Sequence, residues 1–195
     1  MTFVLTQVHS FEEEVRKSRF LAFAAPVNDT EAAQDFIAQH VYPDANHHCW
    51  AWRIGQNYRF HDDGEPGGTA GRPILQAIEG HEIYYVVVLV VRWFGGIKLG
   101  TGGLARAYGG AAGQCLRLAA KTLWVPTRRL SCWCPFSDMA LIRGRLGQFS
   151  THIESEQFDA HGVVWQLRVP EAQCADFCAQ FTDWTKGKGQ IHDLS

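Results

Sequence analysis

Seven charged side chains sit in two glycine-rich segments of this 195-residue chain. Asp62, Asp63, Glu65 and Arg72 lie in HDDGEPGGTAGRPIL at 61–75, and Arg92, Lys98 and Arg106 lie in VVRWFGGIKLGTGGLARAYGGAA at 90–112. The acids Asp62, Asp63 and Glu65 admit three chemistries. They could hold a divalent ion such as Mg²⁺ or act as a general base. They could bond the amides of their own turn, which the composition Asp-Asp-Gly-Glu-Pro-Gly-Gly favours. They could also meet a partner surface. The cations point elsewhere. Arg72, Arg92 and Arg106 offer planar forks for phosphate, and Lys98 a point charge. Thr101, Gly102 and Gly103 open a helix, where a hydroxyl and exposed amides suit an anion.

Standard catalytic and cofactor patterns are absent. GGIKLGT lacks the P-loop order, and Gly100-Thr101-Gly102 with Ala105 lacks the acid expected about 20 residues downstream in a dinucleotide site. There is no Gly-x-Ser-x-Gly elbow. The cysteines at 49, 115, 132, 134, 174 and 178 show no Cys-x-x-Cys pair, so they read as buried thiols. His47 and His48 point to opposite faces of a strand. No catalytic residue is assigned, and Mg²⁺ on the acid cluster is the one cofactor alternative. Trp93 and Phe94, at a strand end, read as packing residues with base stacking as the alternative.

The elements that must position these residues follow from periodicity. Thirteen of the 19 glycines fall between Gly64 and Gly113, a density that demands sharp turns or close approach. Residues 3–15 and 19–27 read as strands, and Asp29 or Thr30 caps a helix ended by Pro43. Strand 47–54 and its hairpin partner 58–60 precede the acid loop, and a short helix spans 73–79. The apolar run 83–91 reads as a strand buried on both faces. Thr101 is expected to cap the next helix, whose Gly109, Gly110 and Gly113 imply close packing on the sheet. Beyond Lys121 the order is strand 123–136, a helix capped by Ser137 or Asp138 running to 149, a hairpin of 153–158 and 163–169, helix 171–184 and strand 190–192. That is β-α-β-β-α-β, the ferredoxin-like unit. The expectation is an α+β protein of two domains, 1–122 and 123–195.

Composition narrows the function classes. The chain carries 18 Lys and Arg against 20 Asp and Glu. Neither part is basic, so nucleic-acid binding would need a local patch. The N-terminus lacks a basic start followed by an apolar core, and the longest apolar run is far short of a membrane span of about 20 residues. A cytoplasmic protein without membrane contact is expected.

The two glycine-rich segments, together with KSRFLAFAAPV at 17–27, resemble the IMPACT family in its bacterial YigZ-type form. Gly67 and Trp93 depart from its usual serine and tyrosine. The resemblance implies an N-terminal domain like the second domain of a small-subunit ribosomal protein, a β-rich sheet with helices on one face. It implies a ferredoxin-like C-terminal domain, and an association with regulation of translation through RNA or ribosome binding. It brings no established reaction. Arg72, Arg92, Lys98, Thr101, Gly102, Gly103 and Arg106 are thus the candidate RNA or phosphate contacts. The rivals are a metal-dependent enzyme acting on a phosphate-containing small molecule and a protein-binding adaptor.

Overall fold

A computed structural model describes residues 2–194. The chain is α+β and forms two compact units, the first ending at Trp124 and the second beginning at Val125. In the first unit, β1 (Phe3–Leu5), β2 (His9–Val15), β3 (Ser18–Pro26), α1 (Thr30–Gln39), β4 (His47–Ile54) and β5 (Asn57–His61) come first. They are followed by α2 (Gly71–Gly80), β6 (Val86–Trp93), α3 (Thr101–Leu118) and β7 (Lys121–Leu123). The main sheet is antiparallel in the order β2-β3-β6-β4-β5, and β1 pairs with β7 in a separate two-stranded ribbon.

Alternation along the strands divides the core. Val86, Val88 and Val90 of β6, Phe20, Ala22 and Ala24 of β3, and Cys49 and Ala51 of β4 share one face with α2 and α3. On α3 the buried set Leu104, Ala107, Tyr108, Ala111, Ala112, Cys115 and Leu116 repeats at helical spacing. The opposite face carries Ala25, Val87 and Trp52 against Ala33 of α1. Helices therefore cover both faces, not one, because the β-branched run of β6 is apolar at every position and needs cover on each side.

Several local expectations differ from the structure, and the strand expected over 3–15 is two, Phe3–Leu5 and His9–Val15. The strand expected over 83–91 starts only at Val86, because Glu82 and Tyr85 adopt left-handed backbone (φ 53° at both). It then runs on through Arg92 and Trp93. The strand expected over 123–136 is two strands: Lys121–Leu123 pairs with the chain's first strand, and a new one starts at Thr127. Gly109 of α3 faces Pro73 of α2, where a Cβ would sit 3.5 Å from the proline Cβ. That glycine brings helix to helix, not helix to sheet.

The second unit comprises β8 (Thr127–Pro135), α4 (Phe136–Leu146), β9 (His152–Phe158), β10 (Gly162–Pro170), α5 (Cys174–Trp184) and β11 (Gln190–Asp193). Its antiparallel sheet has the order β11-β8-β10-β9, the ferredoxin-like arrangement. Leu130, Cys132, Cys134, Val163, Trp165, Leu167 and Val169 face Ile142, Leu146, Phe177 and Phe181 of the helices. All six cysteines are free thiols, Cys174 and Cys178 only partly buried. Helix α4 starts behind Pro135 without a side-chain cap, so neither Ser137 nor Asp138 serves that role.

Candidate phosphate-binding site

The acid loop after β5 is held by its own carboxylates. Asp62 Oδ1 accepts the amides of Ala70 at 3.0 Å and Gly71 at 2.8 Å, and its Oδ2 accepts Gly68 N–H at 2.8 Å. Asp63 Oδ2 accepts the amide of His48 at 2.6 Å, and its carbonyl receives His47 Nδ1 at 2.8 Å. A carbonyl only accepts, so Nδ1 carries the proton and Nε2 is left for other contacts. Gly71 starts α2 against the loop's entry, where a Cβ would lie 2.7 Å from the His61 amide nitrogen. The loop is thus a set of anchored turns, with both aspartate carboxylates bonded to backbone amides.

Glu65 turns the other way, into the core, and is 9% exposed. Its Oε1 accepts Arg92 Nη1 at 2.6 Å and Tyr108 Oη at 2.7 Å, with His47 Nε2 at 3.8 Å. Arg92 is 5% exposed; its Nη2 donates to Ser18 Oγ at 3.3 Å, while its Nε has no partner. Strand parity explains this placement. Arg92 follows Val86, Val88 and Val90 on the face covered by α2 and α3 and pairs with Phe20 and His47 on its neighbours. A buried ion pair of this kind needs hydrogen bonds on the remaining atoms to offset desolvation, and Tyr108 and Ser18 provide them. Burial pushes the Tyr108 hydroxyl and the Cys49 thiol well above their ordinary pKa values, so both stay neutral.

The three acids consequently have separate duties. Among the described residues no group of three His, Cys, Asp or Glu side chains is placed to hold a metal ion. Asp62 and Asp63 turn to backbone amides and Glu65 to Arg92 and Tyr108.

Above the buried pair opens a cavity of about 410 Å³. Asn46, His47, Glu65 and Arg92 form its floor and wall, Phe94 and Lys98 its rim, and Leu99 to Thr101 the start of α3. Phe94 is 47% exposed, and Lys98 is exposed. Helix α3 has Gly100 at its N-cap and no side-chain cap, so Thr101 does not cap the helix as expected. The first intrahelical bond runs from Leu104 N–H to Gly100 O at 2.9 Å. The amides of Thr101, Gly102 and Gly103 precede it, at the positive end of an 18-residue helix. Gly95 fixes the approach. A Cβ there would fall 1.8 Å from the Lys17 carbonyl oxygen, so only glycine lets the loop lie against the β2–β3 turn.

The candidate cations are not all gathered in one place. Lys98, Thr101 and the inward-turned Arg92 line this cavity. Arg106 lines a neighbouring depression with Arg16, across Leu99. Arg72 is exposed at the start of α2 and lines neither. Trp93 is occupied, its Nε1 donating to Asp44 at 2.9 Å and its ring lying 4.4 Å beneath the Arg19 guanidinium carbon. Sequence reasoning missed His47, Tyr108, Ser18 and Arg16. A hydroxyl in the apolar stripe of α3 was the readable sign for Tyr108.

The Impact N-terminal domain family matches residues 16–116, and the domain of unknown function DUF1949 matches residues 132–188. The chain is 44% identical to the IMPACT family member in pol 5'region of Thermus thermophilus, covering 89% of this chain and 97% of that protein. It is 38% identical to IMPACT family member YigZ of Escherichia coli, covering 92% and 91%. The yeast Protein IMPACT homolog is 37% identical over 93 residues, 44% of this chain and 36% of that one. A solved structure titled as a hypothetical protein superposes with a TM-score of 0.71 at 35% identity, covering 100% of this chain and 97% of that chain.

Proposed function

The chain belongs to the IMPACT family, and from that premise we propose that it regulates translation by binding single-stranded RNA, free or on the ribosome, through the cavity at the start of α3. The observation that carries this reading is the conjunction at one opening of the uncapped start of α3 at Gly100 and Thr101, the cation Lys98, which has no partner among the described residues, and the exposed ring of Phe94. A nucleotide needs those parts: a positive helix end and a lysine for phosphate, and a flat apolar face for a base. Arg92 and Glu65 brace the floor as a buried ion pair. Binding would be local, in keeping with a net charge of −2.

Fluorescence anisotropy with short labelled RNAs at low salt tests the proposal, with ribosome sedimentation beside it. Lys98→Glu is expected to weaken binding about tenfold and to reduce the slope of log affinity against log salt by roughly 0.7. Unchanged affinity in Lys98→Glu sinks the site. A second reading rests on the cavity's size, which falls in the range of small-molecule pockets, roughly 300–1,000 Å³. A free nucleotide that raises the melting temperature of a protein with no RNA affinity would favour that reading.

A further inference from the structure

Strand β2 alternates, and Phe11 and Val15 turn toward the face covered by α2 and α3, where both pack on the core. Glu13 holds the position between them, so a carboxylate stands where the alternation calls for an apolar side chain. Its Oε1 would lie 3.7 Å from a Cβ on Gly110 of α3. Burial raises its pKa above the ordinary 4.5, and no cation offsets that shift. Glu13 lines a depression of about 330 Å³ with Arg16, Arg106, Val15, Leu99 and Gly110. Leu99 is its shared wall with the cavity described above. Among the described residues, the side chains of Glu13, Arg16 and Arg106 form no hydrogen bond or ion pair.

One acceptor with two lone-pair edges and two planar donors therefore face the same small space without using each other. Val15, Leu99 and Gly110 add apolar and flat surface. A ligand matching all of this is flat, carries paired N–H donors on one edge and paired acceptors on another. Guanine has this pattern: N1–H and N2–H suit a carboxylate, and O6 and N7 suit a guanidinium fork. Adenine sets an acceptor, N1, beside its single amino group, and uracil flanks its one N–H with carbonyls. Each of those would place a lone pair against the carboxylate.

We infer that this depression recognises a guanine base, with Glu13 accepting from its Watson–Crick edge and Arg16 or Arg106 donating to O6 and N7. The inference rests on the RNA-binding reading, in which the adjoining cavity takes the neighbouring phosphate and Leu99 stands between the two subsites. Glu13 is then the specificity-determining residue and Lys98 a residue of general affinity.

The test uses the full chain and the labelled trinucleotides UGU, UAU and UIU, the last with inosine lacking the N2 amino group. Wild type is expected to bind UGU about tenfold more tightly than UAU, with UIU between them. Glu13→Gln, nearly isosteric and checked by thermal melting for folding, is expected to bring the three within about twofold of each other, since the amide offers the guanine edge a donor as well as an acceptor. Lys98→Glu is expected to weaken all three and keep their ratio. Equal binding of UGU and UAU by wild type overturns the guanine pocket; if Lys98→Glu still weakens both, the RNA reading stands without it. A preference that survives Glu13→Gln also overturns the pocket. Absence of binding to any trinucleotide overturns both. GMP competing as well as UGU, with the same loss in Glu13→Gln, supports the guanine pocket but assigns it to a free nucleotide and removes RNA as its source.

Discussion

Helices α2 and α3 begin alike and end up differently equipped. Neither has a side-chain cap from its own N-cap residue, Ala70 or Gly100. Both starts follow a glycine-rich loop. At α2 the missing anion is supplied from within, since Asp62, nine residues before Gly71, accepts the first amides on one oxygen and pins the loop with the other. At α3 no side-chain cap is present among the described residues, Lys98 stands nearby, and Gly100 and Thr101 line a cavity. The same electrostatic need is met internally in one case and left open in the other. Where a fold satisfies a helix end with a distant aspartate, that aspartate is architecture. Where it adds a lysine in its place, the end is available to something else.

The comparison can be broken most forcefully at Asp62. Asp62→Ala removes three amide contacts, two of them at a helix start, and should destabilise the first unit by about 3 kcal/mol in a urea titration. Asp62→Asn keeps acceptor capacity on one oxygen and should lose about half of that. A loss below about 0.5 kcal/mol in Asp62→Ala would mean that α2 does not need its anion. Thr101→Asp makes the opposite change, giving α3 an acid in its first turn. It should cost no stability, or gain about 0.5 kcal/mol, while lowering RNA affinity about tenfold; a destabilised protein would contradict an unsatisfied helix end. Phe94→Ala should weaken RNA binding by about 1–2 kcal/mol and leave the melting transition in place, because nearly half of the residue lies in solvent.

The smallest effect concerns Glu13. Its pKa is higher in the folded chain than in the unfolded one. Folding therefore favours the protonated form. That contribution is complete below pH 4.5 and is lost as pH rises through the raised value. Glu13→Gln should match wild type near pH 4 and exceed it near pH 7, by less than about 1 kcal/mol after solvent screening. Equal stability at both pH values would remove the strain ascribed to this carboxylate.

Much of this arrangement could be read from residue types and spacing. The order of elements, the two-domain plan and the acid turn follow from periodicity and turn chemistry, both local properties. The misplaced features depend on partners distant in the chain. Lys121–Leu123 became a strand because Phe3–Leu5 was there to pair with it. Arg92 looked like an outward phosphate contact because charge suggests solvent, yet counting by twos from Val86 places it on the face covered by α2 and α3. Thr101 has the right chemistry for a cap, but Gly100 takes the cap position at φ 71°, a left-handed conformation, and the threonine falls inside the first turn. Glu13 was legible by the same parity as Arg92, between Phe11 and Val15, and was hidden by its neighbours Glu12 and Glu14, which make the stretch look like a solvated turn.

The Glu65 carboxylate has a bearing on how the chain is made. Its two short bonds reach 27 and 43 residues along the sequence, to Arg92 and Tyr108. The ribbon that ties the chain's start to its unit closes only at Lys121–Leu123. During synthesis the cavity floor therefore has no complete form until Tyr108 has emerged, and the unit cannot close before Leu123 does. Contacts of such long reach are expected late in folding, after the sheet has collapsed. Substitutions at Glu65 should then hasten unfolding while leaving the refolding rate nearly unchanged, a division that stopped-flow chevrons would display. A ribosome-bound nascent chain shorter than this would present the loops without the pocket, so the surface proposed to meet RNA exists only once the first unit is finished.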